Sequence, residues 1–368
     1  MRCPQCRELT GVRNGKRILS DGRHIAKFFC PACDAYWTAE HEQKNEGEKI
    51  DPYAVVTDSI ERTSMRILAR RYQTGTRQIK DIIHRVTALV KDSLWVAKNF
   101  SLTWSGVLVF DGKVVKVYDP LSIKFKGKLS EQELKWMNKQ RWLCGIDFGT
   151  GDLPHYELAA EESKIDLVMY FQKLKEIGYP LRVLVCDGNE DIPAAAIHVF
   201  GDNIIVQLCT RHFIEGLKRH AEGRAEEPRI AALITTIQRV IESDSAAQAV
   251  HFLSELKVWK KRPGLETDLP ALFKKHAEQL GAHILHPDLK IPHTSNDIEN
   301  LFKQLMLRIK SIGRFQHWQY ARDYLKTWAM WRRCTPFTDC RKTRKARNGK
   351  APIELAGAII DRNNFLKM

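Results

Sequence analysis

No apolar run in this chain approaches the roughly 18–20 residues needed to cross a bilayer. The opening segment MRCPQCREL has neither an apolar signal core nor a small-residue cleavage site, so neither membrane insertion nor secretion is expected. The biases that mark disordered, collagen-like or disulfide-miniprotein chains are also missing. Of the 368 residues 43% are apolar, ample for at least one buried core, and the length suggests two to three domains. Acidic residues are scarce in one place above all. From Lys303 to Lys350 there are 14 Lys and Arg against 2 acids, a local charge of +12 in 48 residues out of +15 for the whole chain. Phe315, Trp318, Tyr320, Trp328 and Trp331 lie among these cations. Clustered cations neutralise phosphates and interleaved aromatics can stack, so nucleic-acid contact is expected, with Arg332, Arg333, Arg344 and Lys345 as DNA-binding candidates. The competing reading is a solvated helix face whose aromatics belong to the core.

Four of the nine cysteines form a metal pattern: Cys3-Pro-Gln-Cys6, then Cys30-Pro-Ala-Cys33. Each C-x2-C turn aims two thiolates at one point, and a hairpin between the pairs brings them together around a tetrahedral Zn(II). Val12, Ile18, Ile25, Phe28 and Phe29, set among Asn14-Gly15 and Asp21-Gly22, suit that hairpin. A structural zinc ribbon over residues 1–40 is expected, and Cys144, Cys186, Cys334 and Cys340 are expected to be buried or incidental thiols.

Residues 41–57 read as a polar linker. Over 58–97 a bihelical pattern follows: Thr63-Ser64 can cap a helix through Tyr72, Gln73-Thr74-Gly75 turns, and Ile79, Ile82, Ile83, Val86 and Val90 mark a second helix from Thr76. This reads as a helix-turn-helix that presents Arg77, Gln78 and Lys80 to the major groove, or else as a generic helical hairpin.

From residue 100 the periodicity changes. Ser105–Tyr118 reads as a strand carrying Asp111, then a Gly turn and a second β-like stretch. Trp142–Phe148 and Tyr156–Ala160 read as strands and Ser163–Gly178 as a helix. Leu181–Cys186 is an apolar strand ending in Asp187-Gly188, Ile192–Phe200 a short helix, and Ile204–Cys209 another strand. The order β-β-β-α-β-α-β is that of a ribonuclease-H-like domain. Residues 222–288 read as an all-helical insertion, in which Trp259 either stacks on a distorted base or is half-buried. In Pro292-His-Thr-Ser-Asn-Asp-Ile-Glu299-Asn, Thr294 and Asp297 fit a capping box, and Ile298, Leu301, Leu305, Ile309 and Ile312 form an apolar stripe beside Glu299. The bland alternative makes Asn296 the N-cap and Glu299 its partner.

Asp111, Asp187 and Glu299 are 76 and 112 residues apart. Their flanking words, VFDGKVVKV, LRVLVCDG with AAAIHVF, QLCTRH, and HTSNDIENLFKQLMLRIKSIGRF, are similar to those of DDE transposases of the Mutator-like (MULE) superfamily. The Cys209/His212 C-x2-H pair is a mark of that superfamily. The phrase NGKAPIELAG at 348–357 resembles the closing phrase of many prokaryotic transposases. The resemblance covers about residues 100–357, with a zinc ribbon and helix-turn-helix as a frequent prefix.

The resemblance implies a multidomain α/β chain. A ribonuclease-H-like core at 100–221 and 289–330 is interrupted by the helical insertion, and a basic C-terminal tail occupies 331–368. Catalysis would rest on Asp111, Asp187 and Glu299 holding two Mg(II) or Mn(II) ions about 3.5–4 Å apart, Asp111 bridging both. The reaction would be cleavage of transposon ends and strand transfer into target double-stranded DNA, by at least a homodimer, in a prokaryotic, cytoplasmic and nucleoid-associated setting. The alternative is a transposase-derived DNA-binding regulator that has lost cleavage. One rival lies in the same stretch: Cys-Gly-Ile-Asp147-Phe-Gly-Thr-Gly resembles the phosphate-binding turn of actin/hexokinase-type ATPases.

Overall fold

The computed structural model describes residues 1–6, 8–18, 22–38, 50–61, 63–117, 139–221, 223–260, 267–312, 315 and 317–367. The chain divides into two compact units, Met1–Ala54 and Val55–Met368. No helix among the described residues is long and apolar enough to cross a membrane.

The first unit is a three-stranded antiparallel meander, β1 (Val12–Ile18), β2 (His24–Cys30) and β3 (Ala35–Thr38). The expected hairpin pairs Val12 with Phe29 and Ile18 with His24. Strand β1 is exposed along its whole length, and among the described residues the buried cluster is Cys3, Phe28, Cys30 and Trp37, with Phe28 stacked on Trp37 at 5.6 Å. A core that small contributes little against the chain entropy of folding, which is the setting in which small units commonly use a metal or other cross-link.

The second unit begins with helices. Helix α1 (Pro52–Ile60) starts inside the stretch expected to be a linker and buries Val55, Val56 and Ile60; residues 41–49 of that stretch lie outside the described residues. Helix α2 (Met65–Arg71) is capped by the Ser64 hydroxyl, which accepts from Ile67 N at 3.4 Å. The turn follows with Gln73 at φ 48°, and Gly75 precedes α3 (Thr76–Leu89), whose Ile79, Ile82, Ile83 and Val86 are buried. A short helix α4 (Ser93–Asn99), held by the Asp92 cap, was not anticipated.

The main sheet holds β4 (Val107–Lys116), β5 (Lys139–Asp147), β6 (Tyr156–Ala159), β7 (Val183–Cys186) and β8 (Ile205–Leu208) in the order β6-β5-β4-β7-β8. Strand β5 pairs antiparallel with β4 and with β6, while β7 pairs parallel with β4 and β8 parallel with β7. Helices α5 (Lys164–Glu176) and α6 (Asp191–Phe200) connect β6 to β7 and β7 to β8, so the expected succession of strands and helices is present. The expected Gly turn after Asp111 is not. Strand β4 runs straight through Gly112, which pairs with Leu143. Glycine serves there for close approach, because a Cβ would stand 2.8 Å from Glu162 Oε2.

One sheet face packs Leu108, Phe110 and Leu143 against Tyr170, Phe171 and Leu174 of α5. The other carries Trp142, whose ring meets Phe302 at 5.8 Å and Trp328 at 5.6 Å. Those rings belong to α12 (Asn296–Ile312) and α13 (Trp318–Cys334). Between β8 and α12 lie α7 (Thr210–His220), α8 (Pro228–Ile241), α9 (Ala246–Lys260), α10 (Leu269–Leu280) and α11 (Ala282–Leu285). The expected helical insertion is therefore helical in its described residues. Buried Gln207 of β8 ties it down, donating to Leu280 O at 3.1 Å and accepting from His283 N at 2.9 Å.

The expected basic tail at 331–368 is a packed segment. Helix α14 (Pro352–Leu355) buries Ile353, and Ala356 O accepts from Thr103 N at 2.7 Å. Arg347 donates to Phe148 O and Gly149 O, each at 2.8 Å.

Candidate functional site

The two C-x2-C turns bring Cys3, Cys6, Cys30 and Cys33 into one cluster, their sulfurs all within 4.8 Å of one another. Cys3 and Cys33 are 3.6 Å apart, as are Cys6 and Cys30. A tetrahedron with Zn–S bonds of about 2.3 Å has sulfur–sulfur edges of about 3.8 Å, so the four thiols already stand at zinc-binding separations. The Thr10 hydroxyl lies 3.0 Å from Cys30 Sγ and holds that thiol down to about 6, which favours the thiolate form a metal takes. Nothing in the local spacing had pointed to Thr10.

In the main sheet the parallel register of β4 and β7 ends at Val109 opposite Val185. Two residues further along each chain come Asp111, still on β4 and on the same sheet face as Val109 because side chains alternate, and Asp187, directly after the end of β7. Each carboxylate accepts one neighbouring backbone N–H, Gly112 N on Asp111 at 2.7 Å and Asn189 N on Asp187 at 3.0 Å. Burial first, and then the charge of Asp187, push Asp111 up to about 7. A fourth acid, Glu162, stands in the field of Asp187 and adds to the charge around Asp111. Its carboxyl is raised by burial, with Arg141 at 3.7 Å opposing the shift. Sequence reading missed Glu162 because it sits in a loop without periodicity.

Glu299 is on the first turn of α12, where its backbone N–H donates to Ser295 O at 3.2 Å. The expected capping box is not formed by Asp297, whose carboxylate holds the Arg344 guanidinium at 2.5 and 2.7 Å. Glu299 Oε2 is bound by Arg211, which also donates to Asn296 Oδ1 at 3.1 Å, while Oε1 accepts from Ser295 Oγ at 3.0 Å. Burial opposes its charge, but Arg211 and Ser295 hold the carboxyl below its ordinary range. The His212 ring lies in the field of both Glu299 and Asp111. The three expected catalytic acids do not form a converging ligand group; Glu299 groups with Cys209 and His212 instead.

The C-x2-H pair opens α7, where Cys209 is the N-cap. The hydrogen bond with Cys209 lifts His212 to about 9. Burial disfavours the Cys209 thiolate, yet bonds from His212 and Ser295 bring it down to about 7.

Asp147, the acid of the rival ATPase-like turn, is fully buried and saturated. Ser105 N and Oγ, Tyr179 Oη, and Thr150 N and Oγ all donate to it at 2.7–2.9 Å. No lone pair is left for a phosphate-bound cation, and the turn is structural.

The expected DNA-contact residues separate sharply. Arg77 and Gln78 are exposed on α3, but Lys80 lies over the Tyr320 ring at 5.9 Å, on the face that packs toward α13. Lys80 is therefore not presented to a groove as expected. Arg333 is fully buried and bonds Asp152 twice at 2.8 Å, so it is no DNA contact. Arg332 lies over Phe337 at 4.6 Å, and Arg344 is paired with Asp297. Lys345 is exposed. Trp328 is core, and the side chain of Trp259 lies outside the described residues.

No family model matches the chain, and no curated protein matches it significantly.

Proposed function

We propose that this chain is a DDE-type DNA transposase of Mutator-like kind, which cuts transposon ends and joins them to target DNA using Asp111, Asp187 and Glu299. The observation that carries this reading is the placement of Asp111 on β4 and of Asp187 directly after the adjacent parallel strand β7, where the charge of Asp187 acts on Asp111, with the helix that bears Glu299 packed on β4. The strand order β6-β5-β4-β7-β8, with β5 alone running against the other four, agrees with a ribonuclease-H-like core.

The Asp pair fits divalent metal. Two carboxylates in a half-buried site each take one backbone donor and pair with no Lys or Arg among the described residues, and burial together with the charge of Asp187 pushes Asp111 up to about 7. Mg(II) or Mn(II) held there would activate the attacking oxygen and stabilise the leaving oxygen at the scissile phosphate. Asp111 and Asp187 would hold this charge on a rigid sheet. Glu299 would join them on giving up its bond to Arg211, whose guanidinium suits a phosphate oxygen equally well. Exposed Arg77 and Gln78 on α3, and the exposed cations near Lys345, would hold the duplex, and joining two ends calls for at least a dimer.

The test is strand cleavage of DNA carrying the element's ends in Mg(II) or Mn(II). Asp111→Ala, Asp187→Ala and Glu299→Ala should each lose cleavage by about three orders of magnitude or more while still binding DNA. A fully active Glu299→Ala would sink the triad. The engagement of Glu299 by Arg211 and Ser295 favours one second reading, a transposase-derived regulator that binds DNA without cutting it. Binding with no cleavage by the wild-type chain in either metal would establish that reading instead.

A further inference from the structure

We propose that Cys209, His212 and Glu299 form a Zn(II) site of their own, distinct from the four-cysteine cluster, with the fourth coordination position open. The three offer one sulfur, one ring nitrogen and one carboxylate oxygen within 4.8 Å of one another. That donor set, borderline-soft and mixed, suits zinc far better than magnesium, which takes oxygen ligands alone.

The scaffold is built from two elements fastened together. Cys209 is the N-cap of α7 directly after β8, and His212 follows three residues later on the same helix face. Glu299 comes from the first turn of α12, and Thr210 N donates to His293 O at 2.9 Å between the two approaches. Cys209 is 1% exposed, whereas the side chains of His212 and Glu299 are 31% and 16% exposed, so the cluster is anchored on its sulfur side and reachable from the other.

Donor accounting points the same way. The Ser295 hydroxyl stands 3.2 Å from Cys209 Sγ, 3.4 Å from His212 Nδ1 and 3.0 Å from Glu299 Oε1. It has one proton to share among three groups, and Cys209 Sγ takes besides it a bond from Ser295 N at 3.4 Å and one from His212. Arg211 serves only Oε2 of Glu299. A cation among the three ligands removes that shortage and leaves Ser295 to orient them from outside. Because a carboxylate carries two oxygens, zinc on Oε1 is compatible with the role given to Glu299 above. The inference does not rest on the transposase reading, since metal content is indifferent to whether DNA is cut.

The experiment uses the full chain with the ribbon silenced by Cys3→Ser and Cys6→Ser, stripped with chelator, reloaded with Zn(II) alone and read by elemental analysis. About one equivalent of zinc should remain bound. It should be lost on adding Cys209→Ser or His212→Ala, with circular dichroism checking that each variant is folded. Co(II) in place of zinc should give a thiolate charge-transfer band that disappears with Cys209→Ser. The inference is overturned if the folded, ribbon-silenced chain retains no zinc, or if its zinc survives both substitutions. Strand cleavage is measured separately, so failure here leaves the proposed function standing and the converse also holds.

Discussion

Two carboxylates on the main sheet, Asp147 at the end of β5 and Asp111 in the middle of β4, are both withdrawn from water and could hardly be treated more differently. Asp147 receives five donors from Ser105, Thr150 and Tyr179. Asp111 receives one, from Gly112 N, and faces the charge of Asp187 and Glu162. Burial is therefore not what separates a structural acid from a chemical one. The balance of donors is, because a saturated carboxylate has no lone pair left to offer and an under-served one keeps its charge unsettled. Asp152, next along the chain, extends the first kind: Arg333 grips both its oxygens and Trp104 Nε1 adds a third bond at 3.0 Å.

The comparison is tested hardest at that pair. Arg333→Ala leaves Asp152 buried with no counter-ion and should destabilise the chain by about 3–5 kcal/mol, read by urea unfolding. A loss under about 1 kcal/mol would mean the pair is not the structural anchor its burial suggests.

Asp111 should behave in the opposite sense. Its folded value of about 7 lies above the ordinary 3.8, so the metal-free folded chain keeps a proton that the unfolded chain gives up. The contribution of Asp111 to stability is then greatest below about pH 4, falls as pH rises toward 7, and stays low beyond. In chelator, Asp111→Asn should raise stability at pH 8 by up to about 4 kcal/mol and leave it unchanged at pH 4. Added Mg(II) should stabilise the wild type at pH 8 and not the variant. Asp147→Asn, whose amide would turn a donor toward donors, should instead cost about 1.5–3 kcal/mol at neutral pH. Were both Asn variants to shift stability in the same direction, the distinction between the two acids would fall.

What could be read in the sequence was local, and what could not was long-range. The cysteine turns, the Ser64 cap and the apolar strands ending near Asp187 and Cys209 are written in neighbouring residues, and they stand where periodicity and spacing put them. The Asp111-Gly112 pair reads locally as a turn, but pairing of β4 with β5 on one side and β7 on the other overrode that preference. Glu162 and Arg211 join the candidate site through interactions between distant elements, and Ser295, although only four residues from Glu299, meets Cys209 across 86 residues of sequence. The basic run divides for the same reason: a charge count cannot tell which cations the fold has already used. Arg333 is taken by Asp152, Arg344 by Asp297 and Arg347 by backbone oxygens, none of them near in sequence.

That division among the cations supplies the smallest effect, and it separates surface from interior without reference to catalysis. Arg341, Lys342, Lys345 and Lys350 are exposed, whereas Arg333 and Arg344 are committed inside the unit. If the exposed set meets a phosphate backbone, replacing all four by Gln should lower the slope of log affinity against log salt by roughly 3–4, about 0.9 for each phosphate no longer neutralised, with the melting temperature unchanged. Arg77→Ala on α3 should lower it by about one more. Arg344→Glu should chiefly lower the melting temperature, because it sets a carboxylate against Asp297 where a guanidinium now sits. Affinity follows that loss only as the fold fails. A salt slope that is unchanged in the fourfold variant would mean that the exposed cations are solvated and that DNA, if bound, approaches from another side.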